Sequence, residues 1–342
     1  PESSAPGPQG FPAPPDPARF YYERTLLGTG SVRQLDSTDR MRKILTGTTA
    51  REGIGFAKPF DVVVQRGRLF VSDTVHRLVL AMDFGSGRSF VIGDRGDDGD
   101  LFKPLGLAVD DAGNLYVTDT SLKAIQVYDR DGNYLRKISV KGQLDRPSGI
   151  DVSPDGSRLF VVDTGGVDSR NHHLVVFDAQ TGQKLRVIGG RGSAPGKLNL
   201  PRDVHLGRDD LLYVTDGGYF RVQAFTQDGQ YVRAWGEPGR RLGQFSRPKG
   251  IAVDKEGNVY AADAAFGNFQ IFTPEGKLLL FIGNRSTRPG PAKFMLPAGI
   301  DVDEDGRVYM VDQYYRKIDV FRPASIAETA GYFGGGLAGE PE

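Results

Sequence analysis

The chain has 342 residues, with 43 Lys plus Arg, 43 Asp plus Glu, four His and no Cys. The absence of Cys excludes disulfides, thiolate metal sites and a Cys nucleophile, and zero net charge argues against a general nucleic-acid binder. No apolar run approaches the roughly 18 residues that span a bilayer, so we expect a soluble chain. The first residues lack a secretory signal pattern, and we expect any export signal to have been removed already.

The N-terminal region divides into two parts. Residues 1–19 contain seven Pro among small and polar residues, which favours extended polyproline geometry and predicts a tether. Residues 20–55 contain FYYERTLL (20–27), which is aromatic and predicts a strand. They also contain MRKILTG (41–47), which fits either a strand or a short helix.

Residues 56–321 contain one pattern six times. Each copy begins with a Pro, passes through an apolar strand and a Gly-containing or acidic turn, and ends a second strand with Asp, 14–16 residues after the Pro. Successive Pro residues lie 43–54 residues apart, and such a period is typical of repeat architectures. The Pro and Asp pairs are Pro59 and Asp73, Pro104 and Asp119, Pro147 and Asp163, Pro201 and Asp216, Pro248 and Asp263, and Pro297 and Asp312.

Each copy continues into a third strand, and copies one to five continue into a fourth. An apolar residue closes the third strand nine residues after the Asp, except at Phe177, which follows its Asp by 14 residues because that loop carries five extra residues. Four short strands joined by Gly, Asp and Asn turns predict one antiparallel blade. The sequence therefore predicts an all-β fold, a six-bladed β-propeller of four-stranded antiparallel blades.

The sixth copy stops after its third strand, at Phe321. An open ring would expose a sheet edge, so another part of the chain must supply the missing strand. We predict that residues 20–27 form this N-terminal closing strand, with residues 41–47 as the alternative. Residues 322–342 are rich in Gly and Ala and are predicted to be a C-terminal tail.

The repeated pattern resembles NHL repeats. It has the Pro-x-Gly strand, the V-x-D strand end and a basic-apolar third strand such as KAIQVYD or RKIDVF, and Asn171, His172 and Leu174 match the letters that name the repeat. The resemblance covers residues 56–321 and implies a propeller. It does not select a function, because the family includes binding scaffolds, nucleic-acid binders and a few metal-dependent lyases.

The competing enzymatic interpretation is a metal-dependent lyase or lactonase at the mouth of the central channel. Similar lyase propellers place His ligands from different blades around the channel, and a zinc site needs three of them to converge. A calcium site of the gluconolactonase type would need acidic ligands, for which Asp151 and Asp301 are the candidates, without a complete set. We favour separate histidines and expect no metal or cofactor. The histidines are His76, His172, His173 and His205.

Most acidic clusters fit turn chemistry. In DRDGN (129–133) and DEDGR (303–307), Asp-Gly supplies the positive φ that a hairpin needs. GDRGDDGD (93–100) has no such role, and calcium binding there stays an open alternative. An Asp followed four or five residues later by a base, as in Asp73 and Arg77 or Asp216 and Arg221, is interpreted as an ion pair that locks the blade.

Strand order sorts the loops onto two faces. The loops between strands two and three share one side, here called the loop face, with the connections between blades, whereas the hairpins lie on the opposite side, the hairpin face. The hairpin face is mostly acidic and the loop face mostly basic. Exposed aromatic and Arg side chains are typical of binding hot spots. The predicted docking residues on the loop face are Arg170, Arg202, Tyr219, Phe220, Arg240, Arg241, Arg247, Lys249, Phe266, Tyr314 and Tyr315.

The sequence favours a non-catalytic binding scaffold over an enzyme. We expect it to dock a protein partner within a larger assembly, or an anionic polymer, on the loop face. Single-stranded RNA is a further alternative, although neutral net charge leads us to expect no nucleic-acid partner. The absence of Cys and the Pro-rich leader suit an exported protein in the periplasm or at a bacterial cell surface, which meets a membrane only through a lipid-anchored N-terminal tether.

Overall fold

A computed structural model describes residues 8–32 and 53–331 of the chain. Within these ranges the chain forms strands and turns, with one 3₁₀ helix at Thr29–Val32 and no α-helix. None of the helical structure in these ranges is long and apolar enough to cross a membrane. The prediction of an all-β fold is confirmed.

Six antiparallel sheets form the six predicted blades. Two strands precede blade 1: β1 (Gly10–Phe11) and β2 (Phe20–Leu26). Blade 1 contains β3 (Pro59–Gln65), β4 (Arg68–Asp73), β5 (Leu78–Asp83) and β6 (Arg88–Ile92). Blade 2 contains β7 (Pro104–Val109), β8 (Leu115–Asp119), β9 (Ala124–Tyr128) and β10 (Tyr134–Ser139). Blade 3 contains β11 (Pro147–Val152), β12 (Arg158–Asp163), β13 (His173–Asp178) and β14 (Lys184–Gly189).

The second half of the ring repeats this order. Blade 4 contains β15 (Pro201–Leu206), β16 (Leu211–Asp216), β17 (Arg221–Thr226) and β18 (Tyr231–Trp235). Blade 5 contains β19 (Pro248–Val253), β20 (Val259–Asp263), β21 (Asn268–Phe272) and β22 (Leu278–Ile282). A short parallel pair follows, β23 (Asn284–Arg285) and β24 (Lys293–Phe294). Blade 6 contains β25 (Pro297–Val302), β26 (Val308–Asp312) and β27 (Lys317–Pro323).

The N-terminal strand β2 closes the ring as the fourth strand of blade 6. It pairs antiparallel with β27, so that Leu26 faces Ile318 and Phe20 faces Pro323. This confirms the predicted closing strand, and the alternative at residues 41–47 lies outside the described residues. Two differences appear at the ends: β1, inside the segment predicted as a tether, adds a fifth strand to the sheet, and β27 continues two residues past Phe321.

A buried ion pair fastens the closing strand. The Arg307 Nε lies 2.8 Å from Oε2 of Glu23 on β2, and both side chains are at most 1% exposed. Arg307 Nη2 also donates to the carbonyl of Ala330, at 2.8 Å. In blades 2 and 5 the same repeat position holds Asn114 and Asn258, whose amides only cap their own turns. The sixth blade therefore joins three distant chain segments through one guanidinium.

The hydrophobic core consists of six clusters, one between each pair of neighbouring blades. A buried apolar residue three positions before each repeat Pro covers one end of these clusters. These residues are Phe56, Leu101, Leu144, Leu198, Phe245 and Phe294. The inter-blade loops are thereby anchored at the same depth around the ring, which places the residues that follow them at equivalent positions.

The Asp that ends the second strand of each blade is fully buried. In blade 1, Asp73 Oδ2 accepts the N–H groups of Ala57 and Lys58, at 2.7 and 2.9 Å. Its Oδ1 accepts the N–H groups of Val75 and His76, both at 3.0 Å. A carboxylate that accepts four backbone bonds needs no cation to satisfy it.

The predicted ion pair between this Asp and a following base forms in one of the four blades where it was expected. Arg221 Nε lies 2.9 Å from Asp216 Oδ2. Within the described ranges the corresponding Arg77, Lys123 and Arg316 make no ion pair with their Asp, and the prediction is wrong for them. Their backbones instead adopt left-handed φ values of 60°, 52° and 53°. Each directly follows two residues whose N–H groups donate to the carboxylate.

Candidate functional site

The first strands of the six blades pack side by side around a central channel. On the loop face the channel opens into a cavity of about 590 Å³, here called the channel mouth. This volume lies in the range of small-ligand sites. Six of the side chains that line it are cationic: Lys58, Lys103, Lys123, Arg146, Arg202 and Lys249.

The fold places most of these cations next to a repeat Pro. Lys58, Lys103 and Arg146 directly precede a Pro, and Arg202 and Lys249 directly follow one. The buried strand-end Asp fixes the backbone of the preceding residue. For example, the Lys103 N–H donates to Asp119 at 2.8 Å and the Arg146 N–H to Asp163 at 2.8 Å. The direction in which these cations leave the backbone is therefore set by the repeat itself.

Four cations around the mouth, here called the rim cations, repel one another: Arg146, Arg202, Arg247 and Lys249. Burial, followed by Arg202, Arg247 and Arg146, lowers the pKa of Lys249 to about 8. Burial and the neighbouring guanidiniums of Arg146 and Arg247 also lower the pKa of Arg202. No acidic side chain of the described residues forms an ion pair with a rim cation. The rim cations are thus not paired directly with any described carboxylate.

Two carboxylates, Asp61 and Asp203, form the floor of the mouth, and we call them the floor carboxylates. They lie two residues after the repeat Pro of blades 1 and 4, opposite each other in the ring. Each accepts an N–H from the next blade: Leu107 donates to Asp61 at 2.9 Å and Ile251 donates to Asp203 at 3.1 Å. Burial raises the pKa of Asp61 to about 7. Burial and the charge of Asp61 raise the pKa of Asp203.

Glycine is required next to each floor carboxylate. A Cβ on Gly149 would lie 2.3 Å from Asp203 Oδ1, and a Cβ on Gly299 would lie 2.2 Å from Asp61 Oδ1. Both distances are far below van der Waals contact. The repeat pattern of Gly two residues after Pro is therefore kept where the neighbouring blade presents a carboxylate.

A second cavity of about 250 Å³ opens on the hairpin face and shares the floor carboxylates with the mouth. Asp151 and Asp301 line it, and each lies four residues after the repeat Pro of its blade, blade 3 or blade 6. They accept the N–H groups of Leu206 and Val64, at 2.6 and 2.8 Å. Burial raises the pKa of both carboxyls. The channel is consequently basic at the loop-face end and acidic within.

The structure brings three of the eleven predicted docking residues together at the mouth. Arg202 and Lys249 line the cavity, and the exposed Arg247 lies close enough to affect the pKa of both. Arg170, Arg240 and Arg241 are exposed on the loop face outside the cavity.

The predicted aromatic residues are less accessible than a hot spot requires, with one exception. Tyr314 is 61% exposed and packs edge-on against Tyr315. Tyr315, by contrast, is half-buried and donates its hydroxyl to the Ser286 carbonyl at 2.7 Å. Phe220 packs against the core between blades 4 and 5, with its φ at 56°.

The other two aromatic residues are also half-buried. The Arg221 guanidinium lies 5.3 Å from the ring centroid of Tyr219. Phe266 is half-buried, and its N–H donates to Asp263 at 3.1 Å. Long inter-blade loops cover part of these rings, which a pattern of residue types does not reveal.

The site contains residues that the sequence prediction missed. Lys58, Lys103 and Arg146 lie on the loop face, which was predicted to be mostly basic, but they are not among the predicted docking residues. Their position directly before the repeat Pro was a usable signal. Asp61 and Asp203 stand where the other four copies have Gly. A charged residue at a position that the repeat otherwise keeps as Gly was the second usable signal.

The four histidines lie in three different blades, with His172 and His173 adjacent in the chain. His172 is fully buried, and its ring nitrogens contact Asn199 Oδ1 and the Gly166 carbonyl, both at 2.9 Å. His76 contacts a backbone carbonyl, and His205 lies in the channel, 3.8 Å from Asp151. Among the described residues no group of three or more His, Asp or Glu is arranged to hold a metal ion.

The acidic loops use their carboxylates internally. Asp100 Oδ1 accepts the N–H groups of Arg95 and Gly96, at 2.8 and 2.9 Å, and Asp97 Oδ1 accepts that of Gly99, at 2.8 Å. In the turn at 129–133, Asp129 closes the hairpin in the same way. Loop geometry accounts for these clusters.

Comparisons with known proteins agree with this fold. The family model of the NHL repeat matches residues 245–273. A Bacteroides thetaiotaomicron protein of unknown function is 16% identical, with a TM-score of 0.64, over 87% of this chain and 75% of that one. Virginiamycin B lyase from Staphylococcus aureus is 13% identical, with a TM-score of 0.56, over 78% of this chain and 95% of the lyase.

A gluconolactonase from Xanthomonas campestris is also similar. It is 19% identical, with a TM-score of 0.57, over 78% of this chain and 86% of the lactonase. At such identities the likeness concerns the fold alone, because one propeller fold carries many unrelated functions. The chain is therefore a six-bladed β-propeller in which the NHL-repeat model matches one repeat, in blade 5.

Proposed function

We propose that this propeller is a binding scaffold that docks an acidic segment of a protein partner on its loop face. The observation that carries the proposal is the set of four rim cations without an acidic partner in the described part of the chain. Gathering like charges in a partly buried site is costly unless a ligand neutralises them. An acidic segment supplies that neutralisation.

The loop face also offers apolar contact area around the mouth. Exposed apolar and aromatic side chains lie on it in three of the blades and in two of the loops between blades. They are Val75, Phe102, Val167, Leu242 and Tyr314. Charged groups in the mouth would orient the partner, and these side chains would exclude water at its edges. This mixture favours a protein partner over a uniformly charged polymer.

The test uses a fluorescein-labelled peptide of ten Glu residues and measures its fluorescence anisotropy. We expect the double variant Arg202→Gln, Lys249→Gln to bind at least tenfold more weakly than the wild type, because two charge-assisted contacts are lost. The control variant Lys137→Gln, Lys184→Gln removes the same charge from exposed positions on outer strands. It should bind within about twofold of the wild type.

Two outcomes would overturn the proposal. Equal weakening by both double variants would show that only net charge matters and that the mouth has no special role. Tighter binding of dextran sulfate than of an acidic peptide of the same charge, and the same length, would assign the face to a polymer instead of a protein.

A further inference from the structure

The channel mouth holds two sets of charge at different depths. The rim cations flank the repeat Pro residues, whereas the floor carboxylates lie two residues after the Pro, at the constriction shared by the two cavities. Lys249 and Asp203 thus line one cavity with a basic and an acidic side chain. Neither of them forms an ion pair with a described residue.

The two sets do not neutralise each other. If they did, the pKa of the ammonium would rise and that of the carboxyl would fall. The observed directions are the opposite ones. Burial and then the neighbouring guanidiniums lower the pKa of Lys249, and burial and then the neighbouring carboxylates raise the pKa of Asp203. Both side chains line the same space of about 590 Å³ without forming an ion pair, which leaves room for a bound group between rim and floor.

The floor carboxylates retain acceptor capacity. Asp203 accepts backbone N–H groups from Val204 and Ile251, at 3.0 and 3.1 Å, and Asp61 accepts one from Leu107 at 2.9 Å. An ionised carboxylate offers about four acceptor positions, so each can accept further bonds from the channel side. Because they come from opposite blades, both can approach one small cation on the channel axis.

We propose that the channel mouth binds a zwitterionic group, with its carboxylate or phosphate against the rim cations and its ammonium or guanidinium against the floor carboxylates. This inference rests on the proposed function, since the rim is the same anion site. A purely anionic group relieves the repulsion at the rim only. A group that also carries a positive charge stabilises both ends of the cavity.

The zwitterion has two sources, a free small molecule of the amino-acid type or a peptide in which Lys or Arg stands beside Asp or Glu. The first arm of the test compares three probes of equal chain length by isothermal titration calorimetry: 5-aminopentanoate, glutarate and pentylammonium. We expect 5-aminopentanoate to bind at least tenfold more tightly than either of the other two.

The variants Asp61→Asn and Asp203→Asn, made singly, should each reduce that preference at least threefold while glutarate still binds. The control Asp228→Asn removes a carboxylate that is 78% exposed on the hairpin face and should leave the preference unchanged. Bound glutarate also reports that a variant is folded, so loss of the preference is not confused with unfolding.

The second arm compares the N-acetylated peptides acetyl-Glu-Lys-Glu and acetyl-Glu-norleucine-Glu, which differ in the lysine ammonium. Preference for the lysine peptide over 5-aminopentanoate assigns the zwitterion to a protein partner, and the reverse assigns it to a small molecule. If glutarate binds as tightly as 5-aminopentanoate, and the lysine peptide no better than its norleucine analogue, the inference is wrong. The proposed function would then still rest on its own test with the polyglutamate peptide.

Discussion

Lys249 permits a quantitative test of the electrostatics of the mouth. Burial and the guanidiniums of Arg202, Arg247 and Arg146 lower its pKa from 10.5 to about 8. One pKa unit corresponds to about 1.4 kcal/mol, so a charged Lys249 at pH 7 costs the fold roughly 3 kcal/mol. A bound anion would offset the part of this cost that comes from the neighbouring guanidiniums.

The sign of the pH dependence follows from proton binding. Below pH 8 Lys249 is charged in both the folded and the unfolded chain, and the full cost is present. Between pH 8 and 10.5 the folded protein releases the proton first, so the unfolded chain binds more protons and stability rises with pH. Above pH 10.5 both states are neutral and the cost disappears.

Lys249→Met removes the charge and keeps an unbranched apolar stem. We expect the variant to be more stable than the wild type at pH 7, by up to about 3 kcal/mol, with the difference vanishing near pH 10.5. Urea denaturation at pH 7, 8, 9 and 10, followed by the fluorescence of Trp235, measures it. Lys137→Met, at an exposed position, should follow the wild type throughout. A difference that stays constant from pH 7 to 10 would refute the reasoning.

Three further predictions concern the ring itself, and urea denaturation checks each. Arg307→Leu leaves Glu23 buried without its partner and should lower the free energy of unfolding by about 3–5 kcal/mol. Adding Glu23→Leu in the same chain should restore most of that stability. If the double variant instead loses the sum of the two single losses, the prediction is wrong. Gly149→Ala places a Cβ 2.3 Å from a carboxylate oxygen and should cost about 1–3 kcal/mol, whereas Gly166→Ala, with no atom within 4 Å, should be neutral. Asp119→Asn replaces an acceptor with a donor and should cost about 1–3 kcal/mol; unchanged stability would show that its four backbone bonds do not matter.

The architecture was predictable because the repeat is regular. The spacing from Pro to Asp determined the first two strands of every blade, and the missing strand of blade 6 pointed to residues 20–27, which the structure confirms as β2 (Phe20–Leu26). Two-residue periodicity and turn residues are local signals, and six copies reinforce them.

The site was less predictable because it depends on contacts between blades. The sequence placed Arg202 and Lys249 on the correct face, but nothing local shows that Asp61 accepts an N–H from Leu107, 46 residues away. The half-buried state of Phe220 likewise depends on the next blade. Burial of a polar side chain is decided by such distant partners and not by its own repeat.

Closure by the N-terminal strand has a consequence for the order of folding. During synthesis Phe20–Leu26 leaves the ribosome nearly 300 residues before its partner Lys317–Pro323. The two edges of the growing array of blades therefore stay unpaired until β27 has been synthesised, and the pairing of β2 with β27 then closes the ring. Removal of either Phe20–Leu26 or Lys317–Pro323 leaves an unpaired strand edge on each side of the opened ring. We therefore expect chains truncated in this way to aggregate.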